Sequence, residues 1–159
     1  SDDDFLASPC ADSVLIAIGD PHLRARIATQ YRDAGASIAE FIHPNVELGS
    51  NITRGEGCIL SSGVMLMSNS HLGAFTNLDR RSMVGHDSNL GDFATLHPAS
   101  VTSGHVNVGA FSRLGTYSFV LPHISIGPSV VVGAGAIVTS SVEEGLTVAG
   151  VPAKPLAHS

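Results

Sequence analysis

The 159-residue chain predicts a parallel β-solenoid of three-sided coils, preceded by a short α/β segment and followed by a short tail. Three observations predict this class. From Val46 to Val142 every sixth residue is small or aliphatic, starting Val46, Ile52, Cys58, Val64 and ending Val130, Ala136, Val142. Two residues beyond each of these, most hexads carry a larger aliphatic, as at Leu48, Leu60, Leu66, Leu72, Leu78 and Val84. The next residue is glycine in ten hexads, Gly49, Gly85 and Gly109 among them.

Two inward residues separated by one outward residue make a short strand, and a following glycine lets the backbone turn where a Cβ would obstruct it. A period of six drifts around a 3.6-residue helix, and glycine at every second turn is costly there. Stacked coils instead bury a core that none could bury alone. With three hexads per coil, outward residues repeat every eighteen. The column Met65, Met83, Val101, Phe119, Ile137 is apolar, whereas His71, Asn89, Asn107, Ser125 is polar and Ile59, Asn77, Thr95, Arg113, Val131 is mixed. A further column, Phe75, Phe93, Phe111, keeps the same spacing. Apolar ladders on the outside of a solenoid point to partner surfaces, and a cyclic trimer suits a three-sided rod.

In chain order, residues 1–12 are acidic and poorly patterned, and residues 13–19 are expected to form a buried strand. Asp20-Pro21 is a helix cap followed by a proline suited to the first turn. A helix is expected from His22 to about Ala34, with Leu23, Ile27 and Tyr31 on its apolar stripe and Gly35 as its stop. Residues 37–42 complete a β-α-β unit, which places a partial α/β subdomain over 1–43. His43-Pro44 marks the junction. The β-helix is expected over 44–149 with no length change up to Val142, and residues 150–159 form a tail made stiff and extended by Pro152 and Pro155.

A formal charge of −6 with only eight Lys and Arg residues argues against nucleic-acid binding. Of the two cysteines, Cys10 and Cys58, the second falls at an inward position as a structural thiol, and no disulfide framework is supported. No run of eighteen apolar residues occurs and the start is neither basic nor apolar, so a cytoplasmic protein that does not meet a membrane is expected.

Because the interior is aliphatic, chemistry is expected at polar corners. Val84-Gly85-His86-Asp87 is the strongest, since Gly85 turns the chain just after outward Met83 and presents His86 at the edge of the apolar side. At a subunit cleft there, a histidine suits general-base work and a neighbouring carboxylate orients its ring. Asp87 also suits a turn-capping role. One and two coils on, its column reaches His105 and His123, and Asp87 pairs with His105 if their side chains point alike. Three histidines raise a metal site. His105 and His123 stack along the axis rather than converging on one ion with His86, so no metal is expected. His97-Pro98 occupies another turn, and His71 is read as surface packing.

These residues resemble the hexapeptide-repeat acyltransferases, and most closely the sialic acid O-acetyltransferases and bacterial amino-sugar N-acetyltransferases. The likeness is carried by Val84-Gly85-His86-Asp87, Leu90-Gly91-Asp92-Phe93, Gly104 and Gly150-Val151-Pro152-Ala153-Lys154, and upstream by Ile16-Ala17-Ile18-Gly19-Asp20 and Arg24. It implies an all-β left-handed parallel β-helix, a homotrimer, and acetyl-coenzyme A as co-substrate with no prosthetic group. Handedness comes from the resemblance alone, because the general preference for right-handed crossovers predicts the opposite. By the same resemblance His86 is the catalytic base and Asp87 its acidic partner. Main-chain groups at Gly104, Thr116 and Ala134 contact the pantetheine arm, and Lys154 meets a coenzyme phosphate. The acceptor is a sugar or nucleotide-linked amino sugar, with O- or N-transfer left open. On the acceptor side, Asp79 stands where the family often has asparagine, and Thr95 where it has a second histidine, with His97 two residues on. The glycine-rich first strand of the family is not present here, which leaves a non-catalytic hexapeptide-repeat assembly or binding protein as the alternative.

Overall fold

The structure, a computed structural model, describes residues 13–156; the acidic first twelve residues and Cys10 lie outside the described residues. The hexads fold into a left-handed parallel β-helix of about six turns. Outward residues stack in the expected register, with Met65 beside Met83, Met83 beside Val101 and Val101 beside Phe119 on the apolar face. The polar face aligns His71, Asn89, Asn107 and Ser125, and the third face aligns Ile59, Asn77, Thr95, Arg113 and Val131. Hydrogen bonds run from coil to coil, as from Met83 N–H to Ser100 O at 3.0 Å. Inward positions from Cys58 to Val138 make one core, in which the larger aliphatics such as Leu60, Leu78, Leu96 and Leu114 are fully buried.

Six inward positions are serines, Ser70, Ser82, Ser88, Ser100, Ser112 and Ser118, each at most 1% exposed. A buried hydroxyl is costly unless it finds a partner. Five of these hydroxyls tie down corner carbonyls, as Ser82 donates to Asp79 O at 2.8 Å, Ser100 to His97 O at 2.8 Å and Ser88 to His86 O at 3.2 Å; the Ser118 hydroxyl has no partner among the described residues. The corner residues with chemistry are thus held from inside the prism.

Most of the repeat glycines stand where a Cβ would be obstructed, as expected, and the obstruction is the backbone of the next coil. At Gly85 an added Cβ would lie 2.2 Å from the carbonyl of Ser103 in the next coil, so close approach between coils demands glycine. Left-handed backbone falls two residues later on ordinary side chains, for example Asn69, Asp87, His105 and His123, with φ between 54° and 61°.

Three expectations are corrected. The last coil is shorter: Val131 pairs with Thr147, sixteen residues on, and Val142 bridges Ile126, so the six-residue register ends after Val138 and Glu144 is exposed. The tail is not extended, because Lys154–Pro155 folds back antiparallel onto Thr147–Ala149 through a turn that contains a cis Val151-Pro152 bond. The phenylalanine ladder is covered by the chain itself. Phe75, Phe93 and Phe111 stack at 5.1 Å intervals, His22 lies over Phe111 at 4.9 Å, and the Arg32 guanidinium lies 4.8 Å above Phe75.

That cover is the N-terminal β-α-β unit. Strand β1 (Ser13–Val14) pairs in parallel with β2 (Ser37–Ile38), and α1 (Pro21–Asp33) connects them. Asp20 Oδ1 accepts from Leu23 N–H at 2.8 Å as the N-cap, and Gly35 takes φ +81° beyond the helix end. Instead of one buried strand over 13–19, the segment alternates: Ile16 is buried and Leu15 is 42% exposed. The strand expected over 37–42 divides, since Phe41–Ile42 already pairs with Ile59–Leu60 of the β-helix.

The buried face of α1 is Pro21, Arg24 and Ala28, while Leu23 of the expected apolar stripe is 36% exposed. Arg24 is 1% exposed and engages a complete set of acceptors. Its Nε donates to Phe75 O, Nη1 to Ile18 O and Gly19 O, and Nη2 to Phe93 O and the Thr95 hydroxyl, at 2.6 to 3.3 Å. A guanidinium has five N–H donors, and five acceptors surround this one. Burial pulls its pKa down to about 10, partly offset by Asp20 and Asp79, so it stays charged at neutral pH. Among the described residues no helix is long and apolar enough to cross a membrane.

Arg24 is therefore the pin between the two units. Arg24→Met leaves buried acceptors without a donor, at about 1–3 kcal/mol for each one that stays unsatisfied, and is expected to destabilise the junction by several kcal/mol. Hydrogen exchange should show loss of protection in β1, α1 and β2 while the β-helix core keeps its own.

Candidate active site

His86 stands on the corner that follows the apolar strand Met83–Val84. Its Nδ1 lies 2.7 Å from Asp87 Oδ2, and both side chains are open to solvent, 54% and 38% exposed. The other Asp87 oxygen, Oδ1, accepts from Asn69 Nδ2 at 2.9 Å, and Asn69 Oδ1 accepts in turn from Asn51 Nδ2 at 3.1 Å. Hydrogen bonds from His86 first and Asn69 second hold the Asp87 carboxyl below its ordinary range. An ionised carboxylate only accepts, so Nδ1 carries the hydrogen and the lone pair of a neutral ring sits on Nε2.

Gly104 lies under that nitrogen. A Cβ at Gly104 would sit 2.4 Å from His86 Nε2 and 2.5 Å from Cε1, so the ring occupies the space a side chain would take. Among the described residues the Gly104 N–H has no acceptor, and it is left free beside the ring. The site thus presents a lone pair and a main-chain donor next to each other.

His105, one coil beyond Asp87, meets it as expected: Nε2 is 3.9 Å from Asp87 Oδ2, and the ring stands edge-on to His86 at 5.1 Å. His123 stacks on His105 at 4.7 Å. Asp87 makes no side-chain cap to a backbone N–H in these contacts; both its oxygens face side chains. His86, Asp87 and His105 offer ligand atoms within 4.8 Å of one another. Two ligands on one tetrahedral zinc, each about 2.0–2.1 Å from the metal, stand about 3.3 Å apart. The 2.7 Å between His86 and Asp87 is the spacing of a hydrogen bond instead.

Across the apolar face lies a second polar corner. There His97 Nδ1 is 3.4 Å from Asp79 Oδ2, a pairing that brings together two of the three residues expected on the acceptor side. The third, Thr95, is corrected: it is fully buried under α1 and its hydroxyl accepts from Arg24, so it lines no open surface. Thr116 and Ala134 stand on this same corner, one coil apart, and Lys154 lies at the C-terminal end of the helix beside a shallow recess of about 320 Å³. One chain therefore does not gather the expected donor contacts; Gly104 is on one edge of the apolar face and Thr116 and Ala134 are on the other. Sequence reasoning missed Asn69, Ser88 and the bed that Gly104 gives His86. Each stands eighteen residues from Asp87 or His86, or two from His86, so reading the coil register through polar positions would have found them.

Solved structures share this architecture. PerB from Caulobacter crescentus, in complex with CoA and GDP-perosamine, is 33% identical, with 96% of this chain and 74% of that one covered and a TM-score of 0.93. WeeI from Acinetobacter baumannii AYE is 31% identical over 98% of this chain and 76% of its own, with a TM-score of 0.93. The acetyltransferase domain of PglB from Neisseria gonorrhoeae FA1090 is 26% identical over 97% and 77%, with a TM-score of 0.92. No protein-family model and no curated protein matches the chain.

The bed under His86 can be tested alone. Gly104→Ala is expected to leave the melting temperature within about 2 °C, because only an exposed ring has to move. A crystal structure of the variant should show the imidazole swung off Asp87.

Proposed function

We propose that this chain, which belongs to the hexapeptide-repeat amino-sugar N-acetyltransferases, transfers the acetyl group of acetyl-coenzyme A to the amine of a nucleotide-linked amino sugar, with His86 as general base at the seam of a homotrimer. The observation that carries the reading is the fixed ring of His86, with Nδ1–H on Asp87 and the Nε2 lone pair beside the free Gly104 N–H. The relatives support the substrates: PerB is described with CoA and GDP-perosamine, and the PglB domain in another structure with acetyl coenzyme A.

The acceptor nitrogen attacks the thioester carbonyl as Nε2 of His86 takes its proton. A C–N bond forms and the carbonyl electron pair moves onto oxygen, where the Gly104 N–H meets the negative charge. Collapse re-forms the carbonyl and breaks the C–S bond, and the proton held on Nε2 passes to the leaving thiolate. Asp87 stabilises the imidazolium in between and keeps the ring in the productive tautomer. No acyl-cysteine is required, and Cys58 is buried, its thiol pushed up chiefly by burial.

A trimer supplies what one chain lacks. The apolar face carries Met65, Met83, Val101, Phe119 and Ile137, flanked by exposed Met67 and Leu121, and its two edges hold the two halves of the site. Cyclic packing across that face sets His86, Asp87 and Gly104 of one subunit opposite a neighbour's second polar corner, with its Asp79–His97 pair and Thr116 and Ala134. Both substrates then meet at one seam, the condition for efficient transfer.

His86→Ala is expected to lower kcat/KM for acetyl transfer by about 10²–10⁴, the usual worth of a general base, while acetyl-coenzyme A still binds by calorimetry. Undiminished thiol release by the variant would defeat the assignment. Met83→Glu places a charge on the apolar face without touching the core; light scattering should report a shift from trimer to monomer, with loss of turnover alongside.

A further inference from the structure

Resting on the acetyl-transfer reading above, we propose that a basic recess at the N-terminal end of the His97 edge binds the diphosphate of the nucleotide-linked acceptor. The recess has a volume of about 730 Å³ and is lined by Phe41, His43, Ser61, Ser62, Arg80 and Arg81. Coil register builds it: His43, Ser61, Asp79 and His97 hold one corner position in four successive coils, as the pairings of the strands before them require. The recess is thus the continuation, toward the N-terminus, of the corner that carries the Asp79–His97 pair.

Its chemistry is that of a donor-only site. Among the described residues neither the Arg80 nor the Arg81 guanidinium has a hydrogen-bond or ion-pair partner. Arg26, exposed on α1, also has no partner among the described residues, while the remaining arginines are engaged: Arg24 on carbonyls, Arg32 on Glu56, Arg54 beside Glu40 and Arg113 beside Asp20. Leaving two adjacent cations unpaired on a chain of net charge −6 asks for an anion from outside. The stem of Arg81 is set by its corner, with φ 60° and its Cγ 3.3 Å from where a Cβ on Gly63 would stand. The hydroxyls of Ser61 and Ser62 have no partner among the described residues. His43 Nδ1 accepts from Asn45 N–H at 3.1 Å, which leaves Nε2–H as that ring's donor. No acidic residue lines the recess.

Two guanidiniums with hydroxyl and imidazole donors match phosphate oxygens in number and geometry. Phe41, 42% exposed, adds an aromatic surface on which a nucleobase can stack. Beyond the recess the Asp79 carboxylate can accept an N–H from the neutral amine of the same ligand. The ligand then runs along one corner, phosphates on the arginines and amine toward His97, which faces a neighbour's His86 across the seam. Coenzyme A also carries a diphosphate, but Lys154 and the space beside Gly104, Thr116 and Ala134 lie on the C-terminal side of this level. The acceptor is the occupant we assign.

Calorimetry with GDP, UDP, dTDP, inorganic pyrophosphate and coenzyme A on the native protein, R80Q/R81Q and R80K/R81K tests this. At least one nucleoside diphosphate should bind the native protein more weakly as salt rises, and lose about tenfold or more in R80Q/R81Q. R80K/R81K, which keeps charge but not the planar fork, should fall between them. Coenzyme A should bind all three alike, and matched melting curves confirm that the variants fold. Nucleoside diphosphates that bind equally to native and R80Q/R81Q, or not at all, overturn the proposal. A loss confined to coenzyme A overturns it too, by giving the recess to the donor. Arginine-dependent nucleotide binding without acetyl transfer to any amino sugar would sink the transferase reading and uphold the diphosphate site. Acetyl transfer with an acceptor KM unchanged in R80Q/R81Q would do the reverse.

Discussion

Every coil must place its corner residues directly over those of the coil before, because the hydrogen bonds of a parallel sheet run between neighbouring coils and leave no freedom to slip. Eighteen residues make one circuit, so a residue's spatial neighbours are those eighteen away. The corners are conformationally costly: twelve described residues other than glycine adopt left-handed φ, each at about 1–3 kcal/mol where the side chain is not suited to it. The stacks offset part of that cost. Asn51, Asn69 and Asp87 are of the residue types most tolerant of this region and are linked by side-chain hydrogen bonds, while the phenylalanine column stacks ring on ring.

The same constraint makes the corner of the candidate site. His86 and Asp87 are adjacent in sequence, Asn69 comes from the coil below, and Gly104 and His105 come from the coil above. Ser88 pins the His86 carbonyl from inside. A corner held between rigid coils orients an imidazole, which is the kind of support a functional group needs. The apolar face lies between the two polar corners, which is why the proposed function shares the site between copies rather than enclosing it in one.

Inward positions and outward columns were legible in the sequence because one side-chain pattern serves both strand and stack. Legibility failed where two patterns give the same letters. Phe75, Phe93 and Phe111 form an apolar ladder whether a second copy or the chain's own helix covers them, and only Arg24 and His22 decide between these. Nothing in the spacing of Arg24 shows that three of its five acceptors, Phe75 O, Phe93 O and the Thr95 hydroxyl, wait for it across 51 to 71 residues of chain. The shortened last coil was hidden too: Val142 is aliphatic and fits the old register as well as the new one. At the candidate site the His86–Asp87 pair was readable and Asn69 was readable in principle. Thr95 was misplaced because its role depends on the docked α1 rather than on the repeat.

Electrostatics sets the final constraint on how the site can work. A chain with a formal charge of −6 repels anions at long range, yet both proposed substrates carry several phosphates. Attraction must therefore come from local cations, and few are unspent. Those that line recesses are Arg80 and Arg81 toward the N-terminal end and Lys154 at the C-terminal end, with His86 at an intermediate level. Cations at opposite ends of a seam cannot be served by one ligand lying either way round. On the proposed function they suit two anionic ligands, one anchored from each end, whose uncharged reactive ends meet near the middle. The negative remainder of the surface then disfavours poses that stray from those anchors, so the overall charge contributes to orientation even while it slows encounter.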